Sequence, residues 1–126
     1  MLLADPNTRE SAFGYLEIAY AYSPADKNRP LLREQLVFFV QDDPDKLYAL
    51  GRLDQARGDL EAALFWPELI LNVPNPWAQQ PERVRQFRRG KVRTMRGSIL
   101  ERLDLVQDAA VEYTASLAEN PACSTL

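Results

Sequence analysis

The 126 residues contain no histidine and a single cysteine, Cys123. The first absence removes the commonest acid–base side chain and the commonest transition-metal ligand. The second excludes an internal disulfide and a zinc site of several cysteines, and the two together exclude a Cys-His nucleophile. No glycine-rich phosphate loop is present, and no run approaches the roughly 18 apolar residues of a membrane span. Residues 1 to 6 lack a basic stretch ahead of a long apolar core, so no signal peptide is read there. These absences lead to the expectation of a non-catalytic protein with no cofactor or metal, kept in a reducing, cytoplasmic setting.

What is there is helical periodicity. Leu47, Leu50 and Gly51 fall at i, i+3 and i+4, with Leu53 widening the face. Asp43-Pro44 in front supplies a cap and a first-turn proline. Gly58-Asp59 stops this helix and starts another, whose face carries Leu60, Ala63, Leu64 and Leu71 and which ends at Val73-Pro74. Gly51 and Ala63 mark where the two helices come close. A helical glycine costs about 1 kcal/mol against alanine and so has a packing reason. Pro67 sits inside the second helix, where it removes a hydrogen bond and predicts a kink, with Phe65-Trp66 packing about it.

On either side the pattern repeats. Asn7-x-x-Glu10 has the form of a capping box before a helix over 8–22. Tyr15, Ile18, Ala19 and Tyr22 share one face of it, and Phe13, Leu16 and Tyr20 the adjoining one. A helix over 30–41 carries Leu32, Leu36, Phe39 and Val40. Its run from Leu36 to Val40 would suit a buried strand, but the Arg-Glu-Gln before it and the lack of a partner strand favour helix. After the proline-punctuated segment 75–81 a basic helix runs to Arg89, with Gly90 as a candidate break or a point within one continuous helix. The next helix has Val92, Met95, Ile99 and Leu103 on one face. The last, over 105–119, has Val106, Ala109, Ala110, Tyr113 and Leu117. Asp42, Asp43 and Asp45 read as a helix-capping turn; Pro44 and the lack of a D-x-D-x-D-G loop argue against calcium.

These residues resemble a tetratricopeptide repeat. Leu47, Leu50-Gly51, Ala63 and Pro74 take the places of that family's large residue, Leu-Gly pair, second-helix alanine and closing proline. Gly97, Ala109, Tyr113 and Pro121 do so in a last copy, and Tyr15, Ile18 and Ala19 in a first. Asp54 and Pro67 depart from it, since the family prefers aromatics at both places. The resemblance implies an all-α fold of antiparallel helical hairpins stacked as a short superhelical array. It implies one domain over 1–126, with repeats 8–44, 45–74 and 90–121 and an insertion over 75–89. It also implies a groove lined from the first helix of each repeat: Phe13, Leu16 and Tyr20, then Tyr48, Arg52 and Gln55, then Lys91, Thr94, Ser98 and Glu101.

The other candidate site is a basic segment. Arg83, Arg85, Arg88, Arg89, Lys91, Arg93 and Arg96 crowd together with Glu82, leaving eight cations against seventeen acids in the rest of a chain of net charge −3. On a continuous helix Arg85, Arg89, Arg93 and Arg96 form one stripe, suited to phosphates, an acidic peptide or an anionic surface. The competing reading, which is preferred, is a solvated face paired with the protein's own acids. Phe87 among them suits base stacking or, preferably, core packing with Val84. The expected role is therefore a scaffold or adaptor that binds a peptide or partner protein in a helical-repeat groove. The alternative is a nucleic-acid-binding or nucleoprotein-associated domain acting through residues 83–96.

Overall fold

The structure, a computed structural model, describes residues 6–40, 43–74 and 76–119, with side chains from residue 10 onward. Six helices follow in order: α1 (Pro6–Ala21), α2 (Asn28–Val40), α3 (Pro44–Ala56), α4 (Leu60–Asn72), α5 (Glu82–Arg102) and α6 (Val106–Glu119). No strand occurs among the described residues, and no described helix is long and apolar enough to cross a membrane. The fold is all-α, and packing runs between chain neighbours, α1 on α2, then α3 on α4, α4 on α5 and α5 on α6, as in an array of helical hairpins. The chain divides into two compact units, Met1–Gln41 and Asp42–Leu126.

In the first unit the run Leu36 to Val40 is helical, and Leu36 and Val40 are fully buried. The faces of α1 are the reverse of the expectation. Phe13 and Tyr20 are buried, whereas Tyr15, Ile18 and Tyr22 stand 78%, 59% and 86% exposed. Tyr20 is held by α2: Arg33 Nε donates to its hydroxyl at 3.0 Å, and the guanidinium lies 5.7 Å from the ring centre. A tyrosine enclosed in this way is a packing residue.

In the second unit the expected caps are in place. Asp43 Oδ1 accepts from the backbone N–H of Lys46 at 3.3 Å and Pro44 opens the helix. Gly58 takes a φ of +83°, the left-handed conformation that glycine adopts without a Cβ clash. Asp59 holds the N-cap position of α4, but through its backbone, its carbonyl accepting from Ala63 N–H at 2.8 Å, with no side-chain cap. Gly51 is a point of close approach. A Cβ there would sit 3.1 Å from Met95 Cε and 3.2 Å from Trp66 Cβ, so α3 packs against both α4 and α5 at this residue.

Asp54 explains its departure from the aromatic of the resembled repeat. It is fully buried, accepting from Trp66 Nε1 at 2.7 Å through one oxygen and from Arg57 Nε at 2.9 Å through the other. A polar bridge thus joins α3 to α4 through the core. Trp66, also fully buried, lies edge-on to Phe65, with ring centres 5.3 Å apart. Helix α4 continues through the buried Pro67.

Two expectations about the C-terminal part are corrected. Gly90 does not break a helix. α5 is one helix of 21 residues, and the buried Gly90 carbonyl accepts from Ser116 Oγ of α6 at 2.8 Å. Residues 82–89 are therefore continuous with the helix that follows them. On α6, Ala109 is buried as expected, but the face against α5 also holds Glu112 and Ser116, while Val106, Ala110 and Leu117 are exposed. The cause is the facing side of α5, where Arg93 and Arg96 meet Glu112 and where Thr94 and the Gly90 carbonyl meet Ser116.

Candidate functional site

Helices α3 and α5 run side by side in one direction. Arg88 lies against Asp45 and Gln55 against Ser98, two pairs each 43 residues apart, one at either end of the shared length. The same offset sets Lys91 level with Tyr48. Between the helices lies an open groove of about 460 Å³ lined by Tyr48, Arg52, Gln55, Ala56, Lys91, Thr94, Met95, Ser98 and Arg102. Six of the residues expected to face a partner (Tyr48, Arg52, Gln55, Lys91, Thr94 and Ser98) are thus brought together.

The walls are pinned from both sides. Gln55 Nε2 donates to Ser98 Oγ at 3.2 Å across the groove, and Arg102 Nη1 donates to the Gln55 carbonyl at 3.0 Å. That carbonyl belongs to the last turn of α3, where a cation also suits the negative end of the helix dipole. Thr94 and Ser116 share a hydroxyl–hydroxyl bond of 2.8 Å, which ties the groove wall to α6. Met95 closes the floor from the core cluster that it forms with Ala63 and Ile99.

A second, more apolar cavity of about 400 Å³ adjoins the first and shares Tyr48, Arg52 and Lys91 with it. Its other walls are Asp45, Trp77, Val84, Phe87 and Arg88. Trp77 comes from the proline-punctuated segment and has a φ of 59°, a left-handed conformation that an L side chain rarely takes. It is held there by Asp45, whose Oδ1 accepts from the indole Nε1 at 2.7 Å and from Arg88 Nη1 at 3.1 Å, while the Arg88 guanidinium lies 5.6 Å from the indole ring centre. Lys91 Nζ lies 5.6 Å from the Phe87 ring centre.

The basic cluster is arranged differently. Arg85 pairs with Glu82, Arg88 with Asp45, Arg89 and Arg93 with Glu119, Arg93 and Arg96 with Glu112, and Arg96 with Glu68. Burial works against the charge on Arg96, but Glu68 and Glu112 outweigh it and hold its pKa above the ordinary value. All five arginines of the expected basic patch thus have acidic partners within the chain, and Arg93 and Arg96 turn toward α6.

Four expected groove residues do not line it. Phe13 and Tyr20 are buried and Leu16 half-buried in the first unit. Glu101 points to α6, where it accepts from the Tyr113 hydroxyl at 2.8 Å. Burial, reinforced by that bond and by the Glu101 charge, raises the Tyr113 pKa above its ordinary value. Sequence reasoning missed Ala56, Met95 and Arg102 in the groove, and Asp45 and Trp77 in the adjoining cavity. Arg102 was within reach, one turn beyond Ser98 on the same helix face. Trp77 gave only the signal of a large aromatic between prolines.

Comparison of the chain with protein-family models, with curated proteins and with solved structures found no match in any of the three.

Proposed function

We propose that this chain is a non-catalytic binding module, organised like a tetratricopeptide array, which holds an extended peptide segment of a partner protein between α3 and α5. One observation carries this reading: six positions selected through the repeat pattern, on two helices 43 residues apart in register, line a single open groove. The groove suits a peptide. It is open, and it mixes hydroxyl, amide and guanidinium donors with an apolar floor and an adjoining apolar cavity. Its walls are already fixed by hydrogen bonds, so little ordering cost falls on binding.

The arginine cluster supports the preferred expectation over the nucleic-acid alternative. Cations that already have carboxylate partners release less on meeting phosphate, because an internal pair must first be broken. The test is selection from a displayed random-peptide library on the immobilised protein. Enriched peptides are then measured against Tyr48→Ala, Arg52→Ala and Ser98→Ala, with circular dichroism to confirm retained helicity. Each variant is expected to weaken binding at least severalfold. Binding unchanged in all three overturns the reading.

A further inference from the structure

Three cations line the groove, Arg52, Lys91 and Arg102, and no acidic side chain does. None of the three has an ion-pair partner among the described residues, although the chain as a whole carries a charge of −3. Arg102 rests on a neutral carbonyl and Lys91 on a ring. In an acidic protein whose Arg85, Arg88, Arg89, Arg93 and Arg96 are all paired with its own acids, this is a concentration of unused positive charge. We infer that the groove's occupant is an acidic segment with carboxylates at alternate positions and a bulky apolar residue two positions from the nearest of them; this rests on the groove-binding reading above.

The spacing follows from helix geometry. Lys91 is level with Tyr48, so Arg52 lies four residues, about 6 Å, further along the shared axis. The Gln55 carbonyl that holds the Arg102 guanidinium is another three residues, about 4.5 Å, on. An extended chain presents one face every second residue, about 6.6 Å apart. Alternate acids therefore meet Lys91 and Arg52 in succession, with Arg102 able to take the following acid or to share the second. One turn on the other side of Lys91, about 6 Å away, lies Phe87 with Val84 and Trp77 in the adjoining cavity, which receives the apolar residue.

The experiment uses the full chain and labelled, end-blocked peptides with a Leu-Ser-Glu-Ser-Glu-Ser core. The same core in reverse order is included, and each peptide has a twin carrying Gln for Glu. Fluorescence anisotropy is read at low and at physiological salt, with a labelled oligothymidine as a further arm. The Glu peptide in one of the two orders is expected to bind about tenfold more tightly than its Gln twin, the sum of two or three partly exposed ion pairs. The ratio should shrink as salt rises. Arg52→Gln with Lys91→Gln should abolish the preference, and Arg83→Gln, at an exposed cation outside the groove, should leave it. Equal binding of Glu and Gln peptides overturns the acidic assignment while the groove reading stands. No binding by either, together with a library selection that yields no groove-dependent peptide, overturns both. Tighter binding of the oligothymidine, lost in the same double variant, replaces the peptide with a nucleic acid.

Discussion

Replacing Asp54 tests the packing logic of the second unit, because its whole environment was built around an acid. The side chain is fully buried and joins Trp66 of α4 to Arg57 at the end of α3, with Arg57 Nη2 also 2.6 Å from the shared oxygen. In Asp54→Ala the indole N–H, buried with Trp66, loses its acceptor, a loss of about 1–3 kcal/mol. Arg57, whose side chain is only 16% exposed, loses its counter-charge. Breaking a buried pair from one side typically costs about 3–5 kcal/mol. The partial access of Arg57 to water places the total near the low end, about 3 kcal/mol. At roughly 4 °C per kcal/mol for a unit of this size, Tm should fall by about 12 °C. Trp66→Phe keeps the Arg57 contact and should cost about 2 kcal/mol, part of it lost volume. The assay is urea unfolding of wild type, both single variants and the double variant, closed as a cycle. A coupling energy above about 1 kcal/mol is expected. An Asp54→Ala loss below about 1 kcal/mol, or no coupling to Trp66, would refute the account of this bridge.

Three further outcomes are expected. Gly97→Ala places a Cβ 2.8 Å from Tyr113 Cε1, and the ring is tethered by its bond to Glu101, so the variant should lose about 1 kcal/mol despite the better helix propensity of alanine; Tyr113→Ala in the same chain should remove that loss. Glu112→Ala should cost about 2 kcal/mol in chemical unfolding, less than a fully orphaned pair, because Arg93 keeps Glu119 and Arg96 keeps Glu68; a loss under about 0.5 kcal/mol would show that α6 is not held by these charges. The raised pKa of Tyr113 means that the native state keeps its proton longer than the unfolded state does. The stability from this group is complete below the ordinary tyrosine pKa of about 10 and is lost as pH rises through the higher native value, so wild type should lose more stability than Tyr113→Phe between about pH 9 and pH 12.

Much of the fold was legible because local signals and packing agreed. Asp43-Pro44 and Gly58 are backbone requirements, and they set the ends of α3 whatever packs on it. Tyr48, Arg52, Gln55, Lys91, Thr94 and Ser98 come together for a geometric reason: their two helices run side by side in register, and residues off the apolar stripes line the space between them. Gly90 misled because a glycine reads as a break only when nothing presses on the helix. Here Ser116 bonds to its carbonyl, so the lack of a side chain serves close approach. Helix α1 was read with its faces exchanged because aromatic residues occupy both, and composition does not distinguish a ring that packs from one that does not. The guanidinium of Arg33, thirteen residues away, helps to enclose Tyr20.

The arginines show most clearly why charge counted along a chain differs from charge available on a surface. In the stripe of Arg85, Arg89, Arg93 and Arg96, Arg85 meets Glu82 of its own helix, and the other three lie on the side of α5 that faces other helices, where Glu119, Glu112 and Glu68 meet them. Helix periodicity that gathers cations on one face also presents that face to a neighbouring helix, and a neighbour rich in acids neutralises it. The cations left for a ligand come from outside the stripe. Lys91 and Arg102 lie on the groove side of α5, and Arg52 comes from a helix with no basic cluster at all. Removing the stripe arginines should therefore lower stability more than it lowers ligand affinity, and removing Arg52 and Lys91 should do the opposite. Unfolding and binding measured on the two double variants, Arg93→Gln with Arg96→Gln and Arg52→Gln with Lys91→Gln, separate the two roles. If both variants shift both properties equally, the division of labour between the faces of α5 is wrong.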